Sequence, residues 1–350
     1  MMKINLTSPI NSLSYGYVGL NLLKSLINVG YEVSLNPIGE MDYSPFYKEY
    51  VRKTIISEFK RECPHLILWH HFGLEKFVQK NCHNIGFPIF EINNFSQKEI
   101  EQFNLCREIW VTCQWYKEIL SKFISIPIKI VNLGVDPEIF KEEIKKENKV
   151  VKFLNIGKWE IRKGHDFLPG VFQKAFQTID DVELVMIPVN PFLHPDEQKS
   201  WKSFYTNKLG QKVKILDNRL TNQEEVVKIM NSCDAGIYPS RAEGWLLPLL
   251  EMMFLNKPVI TTNYSGQTEF CNKNNSYLIE ITEEEVAYDG KWFFGQSTWA
   301  SLGKDQEEQC VEYLRRLYRE IKEEKQFDIK QTVKNFIWHN SAQQIINNLM

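Results

Sequence analysis

The stretch DAGIYPSRAEGWLLPLLEMMFLNKPVITT, residues 234 to 262, decides the fold. It opens on a short apolar run, DAGIYPS (234 to 240), continues through an apolar helix from about Pro248 to Leu255, and closes on the β-branched run KPVITTN (257 to 263). Two strands separated by a helix cannot form a hairpin, so they pair in parallel with the helix on one face of the sheet. The alternation extends upstream through VVKFLNIG (150 to 157), a helix around DFLPGVFQKAF (166 to 176), VELVMIPV (182 to 189), KVKILDN (212 to 218) and the helix EEVVKIMNSC (224 to 233). A first series precedes it: KINLTSP (3 to 9), a helix over 18 to 30, YEVSLNP, HLILWH (65 to 70), GFPIFEI (86 to 92), REIWVTC (107 to 113) with WYKEILSKF as its helix, and IKIVNLG (128 to 134).

The class is therefore α/β, with two open parallel-sheet domains. The charged run DPEIFKEEIKKENK (136 to 149) reads as the linker, which puts the domains at about 1–140 and 141–329. Past the second series, DGKWFFGQSTWASLG (289 to 303) reads as a surface loop packed by its own aromatic rings. KDQEEQCVEYLRRLYREIKEEK is a charged helix, and a last helix is expected over about 329 to 348.

The 350 residues suffice for two cores, and 42 Lys and Arg against 44 Asp and Glu supply no general attraction to nucleic acid. Seven cysteines without a Cys-x-x-Cys pair fit reduced thiols acting as small apolar residues. No cleavable signal is visible in the first residues, and Glu251 and Lys257 interrupt the most apolar later stretch, so the expectation is a cytoplasmic protein. A modest surface patch would still suffice for peripheral contact with the inner membrane surface.

Open α/β sheets hold ligands at the C-terminal ends of their strands, and two such places carry charge and glycine. In NIGKWEIRKGHD (155 to 166), Lys158, Arg162 and Lys163 flank Gly157 and Gly164 just before a helix. Such cations, with the N–H groups of a helix start, can surround a diphosphate; the alternative is a solvated turn. In the 234 to 262 stretch, Glu243 ends a strand-loop and Glu251 lies within the apolar helix. By spacing alone Glu251 reads as an exposed acid on a half-buried helix, whereas facing a ligand its carboxylate could accept two bonds from vicinal hydroxyls.

The segment PSRAEGWLLPLLEMM resembles the signature of the retaining glycosyltransferases of family 4, whose GT-B fold consists of two facing Rossmann-like domains with the ligand cleft between them. NIGKWEIRKGHD and NLGVDPEIF (132 to 140) resemble two further segments of that family, in the expected order. The resemblance implies an acceptor-side domain over 1–140, with a C-terminal helix over 330–350 packing back on it, and a donor-binding domain over 141–329. It implies that Lys158 and Lys163 hold the donor diphosphate, that Glu251 binds ribose, and that Glu243 approaches the donor sugar, with Lys158, Lys163 and Glu243 as the catalytic set. Gly16 corresponds to a glycine-containing loop near the donor phosphates. Gly266 and Glu269, in NYSGQTE (263 to 269), correspond to a cleft-facing turn. Leu246 stands where a glycine is common, and Asn256 replaces another, Asn being able to adopt the left-handed conformation.

His70 and His71 follow the strand HLILW with no carboxylate near them in sequence. Alternation lets at most one of them act as an acceptor or sugar contact. No metal-ligand pattern appears, and Lys158 and Lys163 can neutralise a leaving diphosphate directly, so metal-independent chemistry with no cofactor is expected. The resulting expectation is a retaining transferase moving a hexose-like sugar from a nucleoside diphosphate to a hydroxyl acceptor in glycan or glycolipid synthesis. The alternatives are a catalytically weak sugar-nucleotide-binding or assembly subunit, and an epimerase or phosphorylase of related build.

Overall fold

The computed structural model describes residues 2–143, 149–218, 220 and 222–350, so part of the expected 136–149 linker lies outside the described residues. The chain forms two units, Met1–Asp136 with Asn335–Met350, and Pro137–Lys334.

The first unit contains β1 (Lys3–Asn11), α1 (Ser14–Asn28), β2 (Glu32–Asp42), α2 (Lys48–Ile55), β3 (His65–Trp69), β4 (Asn84–Pro88), α3 (Gln97–Phe103), β5 (Glu108–Val111), α4 (Gln114–Leu120) and β6 (Ile128–Ile130). The strands form one parallel sheet in the order β2-β1-β3-β4-β5-β6. β1 is buried from Ile4 to Ile10, as expected of an inner strand covered on both faces. Its polar residues are accommodated by a relay across three neighbouring strands. His65 Nδ1 lies 2.9 Å from Asn84 Oδ1, and its Nε2 lies 2.7 Å from Thr7 Oγ1. The Asn84 amide donates to the Gln79 carbonyl, so Oδ1 faces His65 and Nδ1 carries a proton; in the neutral ring Nε2 then accepts from the Thr7 hydroxyl. Burial pushes the His65 imidazole down, in keeping with that state. A one-residue register slip would break both bonds.

The second unit repeats the plan with β7 (Val151–Ile156), α5 (Leu168–Ala175), β8 (Val182–Ile187), α6 (Pro195–Leu209), β9 (Val213–Ile215), α7 (Gln223–Ser232), β10 (Ala235–Tyr238), α8 (Leu247–Phe254), β11 (Val259–Thr262) and β12 (Tyr277–Ile279). Its parallel sheet has the order β12-β11-β10-β7-β8-β9. Phe153, Leu184, Met186 and Ile237 of the strands pack with Leu168 and Phe172 of α5 in the core.

The α/β architecture with two Rossmann-like sheets agrees with the sequence reading. Three local expectations are corrected. The aromatic segment 289–303 is not a loop: β13 (Glu284–Tyr288) and β14 (Phe294–Ala300) form an antiparallel hairpin. Asp289 Oδ1 accepts from the N–H groups of Lys291, Trp292 and Phe293 at its tip, and Trp299 is buried at its base. After α9 (Lys304–Lys322), the single helix expected over 329–348 is two pieces, α10 (Lys330–Val333) and α11 (Trp338–Leu349). The break falls where the chain leaves the second unit. There Ile337 pairs in parallel with Val135, and Gly134 lies so close that a Cβ would meet the Ile337 carbonyl carbon at 2.2 Å. The third correction concerns α1, which begins at Ser14 rather than Val18. It carries Gly16 as a buried helical residue instead of a loop glycine. Among the described residues no helix is long and apolar enough to cross a membrane.

Candidate functional site

In the second unit the chain runs β7, β8, β9 outward on one side and then returns to place β10 on the other side of β7. The strand order thus reverses between β7 and β10, and a crevice opens at the carboxyl ends of those two strands. The loops that follow them are Gly157 to His165 and Pro239 to Leu246, the two charged segments singled out from sequence. Topology alone brings them together.

Backbone bonds stitch these loops. Arg241 N–H donates to the Arg162 carbonyl at 2.7 Å, and the Arg241 guanidinium donates to the Ile161 carbonyl at 2.7 Å. Gly164 takes φ +75°, and a Cβ there would meet the Pro239 carbonyl oxygen at 2.2 Å, so glycine is required on both counts. Arg241 itself is fixed by a two-pronged pair with Asp166, both bonds 2.8 Å, and by Glu285 of the hairpin at 2.6 Å.

Between the loops lies a buried ion cluster. Lys163 Nζ is 2.7 Å from Glu243 Oε2, and Arg162 Nη1 reaches the same oxygen at 3.2 Å. The other arm of Arg162 pairs with Glu160 Oε2 at 2.7 Å, and Lys158 Nζ meets Glu160 Oε1 at 3.1 Å. Burial alone would raise the Glu160 carboxyl, but the charges of Arg162, Lys158 and Lys163 overcome it and hold the group at about 2. For Glu243 burial likewise pushes up, and Lys163 and Arg162 win, keeping it below the usual carboxylate range. Within this cluster three cations thus face two carboxylates. Lys158 is the most open of the three, with its ammonium 5.2 Å from the centre of the Phe192 ring.

The crevice floor comes from the turn after β11. Glu243 N–H donates to Ser265 Oγ at 2.9 Å, and Gly266 N–H donates to the Glu243 carbonyl at 2.9 Å. A Cβ on Gly266 would strike that same carbonyl at 2.6 Å, so this glycine lets the turn press on the Glu243 backbone. Glu269 is half-buried at the far end of the turn. Glu251, on α8, is only 4% exposed, which overturns the exposed-acid reading of its spacing. After burial itself, its charge is the next influence raising the buried Tyr238 phenol on β10. Leu246 caps α8 at φ +71°, a left-handed conformation that costs a leucine about 1 to 2 kcal/mol. Asn256 takes φ +59° at the other end, the conformation expected of it, and its side chain binds Phe327, Ile329 and Lys330 backbone groups.

Gly16, His70 and His71 belong to the first unit. There the order reverses between β1 and β3, and α1 and the histidines follow those two strands. A Cβ on Gly16 would overlap Asn11 Oδ1 at 2.3 Å, so this glycine seats α1 against the end of β1. The His70 ring stacks on Phe72 and lies 4.4 Å from the Tyr15 ring centre. His71 is not without a carboxylate: its Nε2 stands 3.0 Å from Glu99 Oε1.

Residues 136–290 match the family described as glycosyl transferases group 1. The chain carries a group 1 glycosyltransferase domain. This domain spans the whole β7–β10 crevice, including Lys158, Lys163, Glu243, Glu251 and Gly266. An uncharacterized glycosyltransferase of Methanocaldococcus jannaschii is 24% identical over 209 residues, 51% of this chain and 56% of that protein. Among solved structures, sucrose-phosphate synthase of Thermosynechococcus elongatus superposes with a TM-score of 0.69 at 14% identity, covering 100% of this chain and 98% of that one. HepE of Anabaena, solved with UDP-glucose, gives a TM-score of 0.69 at 16% identity, covering 100% and 99%. The fold is GT-B.

Sequence reasoning passed over Glu160, Arg241 and Ser265 of the glycosyltransferase domain, and Glu99 outside it. Glu160 lies between Lys158 and Arg162, and an acid inside a basic run was the available signal. Ser265 and Glu99 gain their partners only through tertiary contact. Among the described residues no three His, Cys, Asp or Glu side chains gather as a metal-ligand set, and all seven cysteines are free.

Proposed function

We propose that the chain transfers a hexose-like sugar from a nucleoside diphosphate to a hydroxyl acceptor, with retention of anomeric configuration, in glycan or glycolipid synthesis. The observation that supports this reading is the ion cluster at the β7–β10 switch point, where Lys163 and Glu243 share one contact within a glycosyltransferase domain. In this reading the donor diphosphate takes Lys163 and Lys158 as counter-charges, while Glu243, relieved of Lys163, turns to hydroxyls of the sugar. Arg162 stays behind as the fixed cation that keeps Glu243 ionised. Glu251 accepts from the ribose hydroxyls. As the glycosidic bond breaks, negative charge grows on the leaving diphosphate, and the two lysines stabilise it where it develops, without a metal. The same oxygen can receive the acceptor proton on the front face, so no protein nucleophile is required.

A screen of UDP- and GDP-sugars with mass analysis of acceptor products tests the transfer, and anomeric coupling constants of the product test retention. Donor epimerisation without transfer, or saturable donor binding with no turnover over a broad acceptor panel, would overturn it.

A further inference from the structure

His71 and Glu99 form a built pair that the ion cluster does not use. Both Glu99 oxygens are committed: Oε2 accepts from Ser96 N–H and from Ser96 Oγ, each at 2.7 Å, and Oε1 meets His71 Nε2 at 3.0 Å. A carboxylate can only accept, so Nε2 carries a proton. Burial would raise the Glu99 carboxyl, but the bonds from His71 and Ser96 hold it at about 2, so it stays ionised through the neutral range. The imidazole is packed among Phe72, Phe90 and Phe95, and its Nδ1 is buried with no hydrogen-bond partner among the described residues. A buried acceptor left unmatched is costly unless something arrives to match it. The ring lies two residues beyond β3, beside the β1–β3 reversal, where a parallel sheet receives ligands. The neighbour able to give way is Phe72, which is 52% exposed and touches both imidazoles.

We propose that Glu99 is a positioning residue that locks His71 in the Nε2–H form, so that Nδ1 is kept as the acceptor for one hydroxyl of the substrate. The pair sets which edge of the ring is offered to that hydroxyl. This rests on the glycosyl-transfer reading for the identity of the hydroxyl, although the tautomer does not.

The substitution Glu99→Gln gives a specific outcome. Ser96 N–H is an obligate donor, so the amide oxygen must face it and the amide NH2 must face His71. Nε2 is then forced to accept, and the proton moves to Nδ1. Nitrogen-15 NMR of labelled imidazoles should show Nδ1 unprotonated in the wild type and protonated in Glu99→Gln. Transfer kcat/KM should fall roughly tenfold or more, the loss of one well-placed hydrogen bond, with UDP affinity unchanged. Ser96→Ala removes one bond to the same carboxylate while leaving Ser96 N–H and the His71 contact, so it should keep both the wild-type tautomer and the wild-type rate. A raised acceptor KM with unchanged donor hydrolysis assigns the hydroxyl to the acceptor, and a fall in both assigns it to the donor sugar. The proposal is overturned if wild-type Nδ1 carries the proton at neutral pH, or if folded Glu99→Gln transfers at the wild-type rate. A wild type that binds no nucleotide would sink the glycosyl-transfer reading instead, and the tautomer would still be decided by the NMR measurement.

Discussion

Lys163 Nζ and Glu243 Oε2 stand 2.7 Å apart although 80 positions separate them in the chain. In the proposed donor mode each must release the other, since a diphosphate competes with the carboxylate for the ammonium. Replacing Lys163 with Ala should leave Glu243 paired with Arg162, so the protein folds, while UDP affinity drops roughly tenfold or more. Calorimetry with UDP measures this, with the exposed Lys149→Ala as control. Equal affinity in the two variants would remove Lys163 from the donor site.

Glu243→Gln should act in the opposite sense on binding. Without the competing carboxylate, Lys163 is more available to the diphosphate, so UDP should bind as tightly as in the wild type or more tightly, while sugar transfer falls. Glu251→Gln should instead weaken UDP, since two ribose bonds to a desolvated carboxylate contribute roughly 2 to 4 kcal/mol. Paired calorimetry and initial rates separate these roles. A reversed pattern would mean that the donor lies the other way round in the crevice.

Gly164→Ala should destabilise the second unit by about 1 to 3 kcal/mol, because the methyl group combines left-handed strain with a collision on the Pro239 carbonyl. Urea denaturation reads the loss, and UDP affinity should fall with it because the two site loops separate. An unchanged midpoint would show that the loops are not held as described.

Acid should unfold the protein in two stages. His165 is buried between Tyr205 and the Gly157 carbonyl, and burial brings its imidazole from 6.5 to about 4. The unfolded chain therefore takes up a proton first, and stability present above pH 6.5 declines as pH falls toward 4. Glu160 and Glu99 are depressed from 4.5 to about 2, so their share is full above pH 4.5 and is lost between there and pH 2. Urea midpoints measured at intervals from pH 7 to pH 3 should fall in both windows. Glu160→Gln should be less stable at pH 7, by about 3 kcal/mol for a broken buried pair, and should show a shallower decline below pH 4.5. A parallel decline in variant and wild type would contradict the Glu160 assignment.

The strand-helix rhythm was legible because inner parallel strands such as HLILW and VELVMI are apolar at all but one position each, His65 and Glu183, and turn residues bound them. The hairpin was not, since Glu284, Glu285 and Asp289 give its first strand and tip a polar sequence, and Trp299 is buried through contacts with Phe293, Glu285 and the distant Arg241. Helix α6 escaped notice for a related reason: only Tyr205 and Leu209 of its 15 residues are buried, too few to mark a period. At the site, Lys158, Lys163 and Glu243 could be named from local pattern. The buried state of Glu251 could not, because an acid on an apolar helix faces water unless neighbours outside its own segment close over it.

The chain leaves the first unit at Asp136 and returns at Asn335, and the two crossings are bound to each other, Val135 N–H donating to the Phe336 carbonyl at 2.9 Å. In topological terms the second unit, Pro137–Lys334, is an insertion whose entry and exit are adjacent. A chimaera that exchanges this cassette for another needs two junctions that meet at a single place, and its host keeps both cut ends side by side. The second unit is thereby exchangeable as one block, and under the donor role proposed for it donor preference would travel with that block.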